Sequence, residues 1–483
     1  MNKIARLIAV LLLIVVTWFQ RHIFFDTFDP KYAHDHYSMS QWAVPLSSRI
    51  MGDADLFTYS GYSLTQEFKP FSVNPETPVF AKLFFGYSAF LFGNQHLASP
   101  LFLLLLLLAM DNLAKSYFKF DTTKRIFLAL FIFCSAEIQE QVKLTLLDLP
   151  QVALFAWHLV FLFKSARNNK NTFKNLAIAG MFLGFMTATK FGLYTPFIIL
   201  ADVWYLFKNK QLKLTPLLLI SSITGYLLPY LPVLVSDGLI SFLQAQKWTL
   251  NFYLSSDVIA PIGMLIITSF TGLNRGWVDT NWQTIFTWNG EWGLGIIALL
   301  ITIKDWFKSK APKNSELGAI LVSLSLIFLL LLKIPFWPRY LIFFIPFFWL
   351  FVLNTIKEKR VLLLLLVFPL ITTSKLVLQS YMPPTDYLAF VNSGAYEELY
   401  NYFSQHFKSE ISREEFTAKS ILEYEDLHPS SIETIIESET QTLKTTEQII
   451  ILTLKSPFGE KIIRKKYYGN MNMAAGESLR LRI

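Results

Sequence analysis

The side chains best suited to chemistry crowd into one early stretch of the chain. His34-Asp35-His36 is followed by Asp53-Ala54-Asp55, and then by Glu67 and Glu76. Carboxylates and imidazoles are the groups that accept and release protons near neutral pH. Asp55 and Tyr59 are four residues apart, so on a helix they share a face. A carboxylate there, partly withdrawn from water at a membrane rim, would have a raised pKa and could take the proton of an attacking hydroxyl. The plain alternative is a solvated loop acid. His34 and His36 resemble a metal site only superficially, because residues two apart diverge on a helix and share a face only on a strand. No third ligand is evident. The D-x-D spacing of Asp53 and Asp55 leaves a divalent metal optional but does not require one.

The elements that must position these groups are membrane helices. Hydrophobic residues make up 53% of the 483 and charged residues only 16%, against roughly 25% charged in soluble domains. Leu101–Met110, Leu326–Leu332 and Val361–Leu370 are apolar on every side. A helix of that kind needs lipid or a protein interior around it, and one chain cannot bury this many. The net charge of +8 sits in short clusters between apolar spans, the pattern of basic cytoplasmic loops rather than of a nucleic-acid interface. The one cysteine, Cys134, builds neither a disulfide framework nor a cysteine zinc site. The N-terminus has a basic head and an apolar core without a small-x-small cleavage site, which reads as an uncleaved first span.

Apolar windows able to cross about 30 Å of hydrocarbon recur at about 4–20, 97–112, 126–142, 149–164, 175–190, 191–207, 215–235, 287–303, 315–333, 339–354 and 361–379, some eleven spans. With residue 1 inside, alternate loops should be basic. They carry Lys115, Lys119, Lys124 and Arg125; Lys164, Arg167, Lys170 and Lys174; Lys208, Lys210 and Lys213; Lys304, Lys308, Lys310 and Lys313; and Lys357, Lys359 and Arg360. Counting residues 257–273 as a crossing would break this order, so they are expected to form a re-entrant or surface segment. Three regions then face outward: a first loop over 21–96 with amphipathic helices, a second over about 236–286, and the chain from 380. In that last region Leu-rich sequence gives way to Glu-rich sequence with strand-like runs at Gln448–Leu454 and Lys461–Tyr468, expected to be a small soluble α+β domain over 380–483. The transmembrane domain is expected over 1–379.

Residues 74–93, NPETPVFAKLFFGYSAFLFG, carry a definite resemblance. The protein O-mannosyltransferases and the related lipid-A aminoarabinose transferases have a first-loop P-P-L-G-K segment and an apolar stretch ending in L-F-G. Pro78, Lys82 and Leu91-Phe92-Gly93 fall on that frame without a gap. Upstream, Asp55 and Tyr59 match the family's D-E-x-x-Y, with Leu56 in place of the second acid and Val79 in place of the second proline. Downstream, Asp148 and Pro150 resemble the D-x-P that opens the fourth span. Gly180, Gly184, Thr189 and Lys190 resemble G-x-x-x-G-x-x-x-x-T-K, and Arg339, Tyr340 and Pro346 resemble R-Y-L-x-x-x-x-P. Together these cover most of residues 50–355.

The resemblance implies the GT-C fold, an all-α polytopic membrane glycosyltransferase that takes sugar from a polyprenyl-phosphate donor on the outer face of a cell membrane. It implies Asp55 as the catalytic base, with Asp53, Tyr59, Glu76, Lys82, Asp148, Lys190, Arg339 and Tyr340 as substrate-binding residues. Arg339 would fork onto the donor phosphate, with Lys82 or Lys190 as a point charge, and Glu76 would help position acceptor or sugar. No cofactor is implied, since the related O-mannosyltransferases do not rely on a bound metal. The implied partners are the lipid-linked donor, membrane lipid and a glycan, lipid or protein acceptor. Each residue has a plainer alternative: Lys190 snorkelling, Asp148 capping its span, Arg339 and Tyr340 anchoring at the interface. Two rival functions remain from the residues alone, a transporter or flippase of lipid-linked sugars and a polymerase or ligase using polyprenyl-diphosphate glycans.

Overall fold

In hydrocarbon every backbone amide must find its partner inside the chain, and a helix does this within one segment. Most of the described apolar runs in the first 380 residues are helical. The computed structural model describes residues 2–44, 51–167, 169–190, 192–255, 262–275, 282–285, 287–309, 314–333, 337–356, 358–380, 431–441, 445–456 and 459–470. The chain divides into two compact units, one holding nearly all residues up to Val377 and the other the chain after it.

The first unit opens with α1 (Asn2–Phe19), α2 (Pro30–Ser38), α3 (Asp53–Gln66) and α4 (Phe80–Phe92). Asp29 caps α2, accepting from the amides of Lys31 and Tyr32, with Pro30 in the first turn. α4 stops at Gly93, whose φ of 62° is a left-handed cap that glycine adopts without a Cβ clash. That is the physical role of the Leu91-Phe92-Gly93 ending. α3 and α4 meet at Gly61 and Gly86, where a Cβ on either would come within 2.0 Å of the Lys82 or Gly61 carbonyl oxygen. Two glycines therefore set the spacing between the helix bearing Asp53 and Asp55 and the helix bearing Lys82.

There follow α5 (Ala98–Ser116), α6 (Thr122–Phe133), α7 (Ala136–Lys143), α8 (Asp148–Arg167), α9 (Thr172–Thr187), α10 (Thr195–Lys208), α11 (Thr215–Leu227), α12 (Leu231–Ser236), α13 (Gly238–Ser255) and α14 (Met264–Thr271). A two-residue ladder pairs β1 (Leu273–Asn274) with β2 (Gln283–Thr284). The unit closes with α15 (Glu291–Lys308), α16 (Ser315–Leu331), α17 (Ile345–Thr355), α18 (Lys359–Leu364) and α19 (Val367–Ser380). Leu101, Leu104 and Leu108 are exposed on one face of α5 while Phe102, Leu106, Ala109 and Leu113 are buried on the other. The exposed stripe is apolar because its solvent is lipid. α9 packs on α11 through Gly180, Gly184 and Gly225, where a Cβ would lie 2.2–2.6 Å from backbone carbonyls of the facing helix. Within the bundle, His158 on α8 and Asp202 on α10 lie 3.2 Å apart and fully buried.

Among the described residues, three helical stretches are by themselves long and apolar enough to cross a membrane: Gln95–Ser116, Asp148–Arg167 and Leu212–Ser236. Phe80–Phe92, Ser315–Leu331 and Ile345–Thr355 are apolar but shorter. The expected eleven spans are thus a count of apolar windows, not of full-length helices. One window differs in kind. Residues 126–142 are not one helix: α6 ends at Phe133, Ser135 is extended at φ −65° and ψ 130°, and α7 starts afresh. The reason is polarity, since Glu137, Gln139, Glu140 and Gln141 follow the break and cannot lie in hydrocarbon unpaired. Window 361–379 likewise divides into α18 and α19. Within 257–273, α14 has eight residues, about 12 Å of rise and too short to cross. Residues 256–261 lie outside the described ones.

In the second unit, β3 (Ser431–Gln441), β4 (Thr445–Ser456) and β5 (Gly459–Asn470) form an antiparallel sheet in that order. The strand-like runs at Gln448–Leu454 and Lys461–Tyr468 fall within β4 and β5. The expected helical part of this domain, and the final ESLRLRI, lie outside the described residues.

Candidate active site

One end of the helical unit gathers charged residues from segments far apart in sequence. The first turn of α3 carries Asp53 and Asp55. It is docked by Thr145, whose hydroxyl donates to the Ala54 carbonyl at 2.8 Å and lies 2.6 Å from that of Thr58. Three residues on, Asp148 begins α8. The end of α9 reaches the same place, where the Phe80 amide donates to the Ala188 carbonyl at 2.8 Å and Phe80 stacks on Phe185. A 3-10 turn over Pro338–Phe343 completes the set, opened by Pro338 after an extended Trp337. α7 and α8 both pack against this turn.

Two ion pairs interlock there. Arg339 Nη1 is 2.6 Å from Asp53 Oδ2, and Lys190 Nζ donates to Asp148 Oδ1. The Lys190 ammonium also lies over the Tyr340 ring, 4.6 Å from its centre. Arg339 uses one arm of its guanidinium on Asp53, and its buried Nε has no hydrogen-bond partner. Asp148 therefore does more than start a helix, although a carboxylate at the first turn also suits the helix dipole. Lys190 does not snorkel outward; it turns onto the Asp148 carboxylate and the Tyr340 ring. An arginine and a lysine held on neighbouring carboxylates form a cationic receptor, with fork geometry from one and a point charge from the other.

The 74–78 turn forms the neighbouring wall. Asn74 has φ 52°, and its amide donates to Glu76 while Thr77 donates to Asn74 Oδ1. Lys82 reaches up from α4 fully buried and donates to the Asn74 and Thr77 carbonyls, both at 2.8 Å. Glu76 is held above the ordinary carboxylate range by burial, opposed by its own backbone hydrogen bond and the nearby Lys82. Lys82 so placed is a clasp for the turn that presents Glu76, and its ammonium is occupied.

Asp55 and Tyr59 lie one turn apart as their spacing requires, but they part company in environment. Tyr59 is buried against Ala33, Met51, Leu56 and Val73, with its ring 5.0 Å from that of Tyr37 and 6.1 Å from that of His34. Asp55 remains exposed. The protein packed around it still raises its carboxyl above the ordinary value, with His36 and His96 pulling it back. His34 and His36 sit on α2, and His34 is exposed and 3.3 Å from Asp35.

Three buried residues at this end went unmarked in the sequence: Glu137 and Gln141 on α7 and Gln151 on α8. Glu137 Oε2 accepts from Thr287 at 3.0 Å, and it feels the charges of Asp148 and Arg339. The signal that could have found the first two is the polar run Glu137, Gln139, Glu140, Gln141 inside an otherwise apolar window; Gln151 has no such signal. Beside the site lies an almost wholly apolar cavity of about 550 Å³, lined by Pro75, Pro78, Gly192, Phe197, Tyr226 and Tyr230 among others. Its Pro75 and Pro78 bracket Glu76, and its Gly192 follows Lys190 by two residues.

No protein-family model matches the chain, and no curated protein matches its sequence. Among solved structures, the chain is similar to ArnT from Cupriavidus metallidurans. The crystal structure of that protein bound to undecaprenyl phosphate aligns with TM-score 0.48 at 12% identity, covering 81% of this chain and 67% of the other. Its apo crystal structure aligns with TM-score 0.47 at 13% identity over the same shares.

Proposed function

We propose that this chain is a membrane glycosyltransferase that moves a sugar from a polyprenyl-monophosphate donor to an acceptor hydroxyl at the outer face of a cell membrane. The observation that carries the reading is the interlocked Arg339–Asp53 and Lys190–Asp148 set beside an apolar cavity. A lipid-linked phosphate sugar has three parts that need three environments. Its isoprenoid tail suits the Pro75, Phe197 and Tyr230 cavity. Its phosphate suits the guanidinium and ammonium of Arg339 and Lys190, which exchange a carboxylate contact for a phosphate contact of similar geometry. Its sugar must then lie toward α3, where the acid residues are.

In the transfer, the acceptor oxygen forms a bond to the anomeric carbon while the bond from that carbon to the phosphate oxygen breaks. The bonding pair leaves with the phosphate, and Arg339 and Lys190 stabilise the charge that develops there. The acceptor's proton goes to a carboxylate, which we assign to Asp55. It is open to an incoming acceptor, and its raised pKa makes it a stronger base than an ordinary aspartate. Glu76, presented by the Lys82-clasped turn, orients the sugar or acceptor. The reaction needs no cofactor.

The test is release of sugar from a polyprenyl-monophosphate donor by purified wild type, Arg339→Lys and Arg339→Ala. Loss of the guanidinium should cost on the order of 2–5 kcal/mol in donor use, as for one partner of a desolvated charge pair. Lysine keeps the charge and loses the fork, so its activity should fall between the two. Absence of donor cleavage by the wild type, with lipid movement across the bilayer intact, would leave a transporter as the better reading.

A further inference from the structure

Buried amides without partners are rare in folded proteins, because such a group has given up water and gained nothing in return. Two lie at the site end of the molecule. Gln141 is 1% exposed and both its Nε2 and Oε1 lack hydrogen-bond partners; Gln151 is 2% exposed and its Nε2 lacks one. Gln141 shares a face of α7 with Glu137, four residues before it, and Gln151 shares a face of α8 with Asp148, three residues before it. Both helices pack against the turn that carries Arg339, and Glu137 feels the charges of Arg339 and Asp148. The unpartnered amides therefore lie on the two helices that pack against the turn bearing Arg339, whose own Nε is unpartnered. Gln139 supplies a contrast within α7. It is equally buried, but its amide donates to the Phe133 carbonyl at the α6–α7 break, so its hydrogen bonding is used by the fold.

We infer that Gln141 and Gln151 bind the hydroxyls of the donor's sugar, and that this sugar is not an acidic one. The inference rests on the glycosyltransferase reading above and names the substrate class of that site. A carboxamide carries a donor and an acceptor but no charge, and a sugar hydroxyl likewise donates and accepts, so the two match in both directions. Arg339 pairs with Asp53 and Lys190 with Asp148, so neither cation is reserved for an anionic sugar, while Asp55 and Glu137 have no ion-pair partner among the described residues. An acidic sugar would bring a further anion toward Asp53, Glu137 and Asp148, with no cation reserved for it. A site built to hydrogen-bond a hydroxyl discriminates strongly against a ligand that lacks it, because its own buried groups are then left unpaired.

The experiment measures binding to purified protein of undecaprenyl phosphate, of undecaprenyl phosphates bearing neutral hexoses or pentoses, and of one bearing a uronic acid. Wild type should bind at least one neutral sugar-bearing lipid more tightly than the sugar-free phosphate, and the uronate no better than the sugar-free phosphate. Gln141→Leu and Gln151→Leu should each weaken the neutral donor on the order of tenfold or more, while changing undecaprenyl phosphate binding less than about twofold. Leucine relieves an amide that has no protein partner, so the melting temperature of both variants should hold or rise. In Gln139→Leu it should fall, without selective loss of the sugar-bearing donor. Equal weakening of sugar-bearing and sugar-free lipids, or a lowered melting temperature with no selective loss, would overturn the inference while leaving the transferase reading in place. Tighter binding of the uronate than of every neutral sugar would overturn the sugar class. Failure of the wild type to bind undecaprenyl phosphate at all would overturn the transferase reading, and this inference with it.

Discussion

The two ends of the helical unit hold similar numbers of charged side chains and use them differently. At the end where α5, α8 and α17 finish, the charges complete the helices. Arg125 forks onto Asp111 with contacts of 2.5 and 2.6 Å, and Lys124 donates to the Leu353 and Ile356 carbonyls at the close of α17. Arg167 donates to the Ser116 carbonyl, pairs with Glu316 at 3.2 Å and covers the Tyr117 ring. The cations there are spent on the last carbonyls of helices, although the buried Tyr205 hydroxyl and Gln211 Oε1 have no hydrogen-bond partner. At the end where α8 begins, Arg339 keeps an unpartnered Nε, and Gln141 and Gln151 keep unpartnered amides. Lys82 is used there by the fold, on the turn that presents Glu76. The contrast is between cations spent on helix ends and a guanidinium that keeps an unpartnered Nε.

The sharpest way to break the comparison is to ask which end faces out. Under the positive-inside rule, the basic clusters near Lys124, Arg167, Lys208 and Lys308 would put their end in the cytoplasm. An exposed Lys174→Cys should resist a membrane-impermeant maleimide in intact cells, and an exposed Glu67→Cys in the first loop should react fully. Cys134 is buried and gives no background. Reaction at position 174 with silence at position 67 would invert the molecule and separate the site from an outer-face donor.

The next largest effect belongs to Asp55. Asp55→Asn keeps the shape and removes the basicity, so turnover should fall by roughly 10²–10⁴-fold while donor affinity holds. The pH profile carries its own sign. The base works only when deprotonated, and its pKa is raised, so wild-type turnover should rise with pH through an ionisation above the usual carboxylate range. That rising limb should vanish in Asp55→Asn. Near-normal transfer by the variant would move the role to Asp53 or Glu76. A third effect tests stability at the same end. Lys82→Met removes the donor from the Asn74 and Thr77 carbonyls and the cation beside Glu76. It should cost about 3–5 kcal/mol, as for breaking a buried ionic contact, visible as a lowered denaturation midpoint.

The sequence made some of this site legible, for identifiable reasons. Asp148, Lys190 and Arg339 are marked by the resemblance to the transferase families, and a charge beside a Leu- or Phe-rich run is also expensive. Their pairing is not legible, since Lys190 meets Asp148 across two spans and Arg339 meets Asp53 across most of the chain. The D-x-D spacing directs attention to both acids, and only the fold separates Asp53, on the guanidinium, from Asp55, left open. Glu137 and Gln141 stayed hidden because a window average over 126–142 counts Ile126 to Phe133 with the polar run after it, and Gln151 because it is a single amide in the apolar window 149–164. The break at Ser135 is a local conformational event that averaging erases. For the first loop, the sequence supports helices without placing their ends, although Asp29-Pro30 and Gly93 are local start and stop signals.

The smallest predicted effect concerns the opposite end and sharpens the contrast most cleanly. Arg125 and Asp111 form a bidentate pair, the strongest geometry available to two such side chains, yet the side chains remain 25% and 40% exposed. Water and salt reach them, so the coupling they contribute should be modest. A double-mutant cycle of Arg125→Ala and Asp111→Ala, read by denaturation in detergent, should give about 0.2–1 kcal/mol. Raising the salt toward 1 M, where the screening length falls to about 3 Å, should shrink that coupling further. Transfer activity of the folded Arg125→Ala protein should stay close to that of the wild type, because nothing at this end reaches the donor. Loss of activity without loss of stability in Arg125→Ala would show that the basic end also takes part in the reaction cycle, and that the division between structural and receptive charge is drawn in the wrong place.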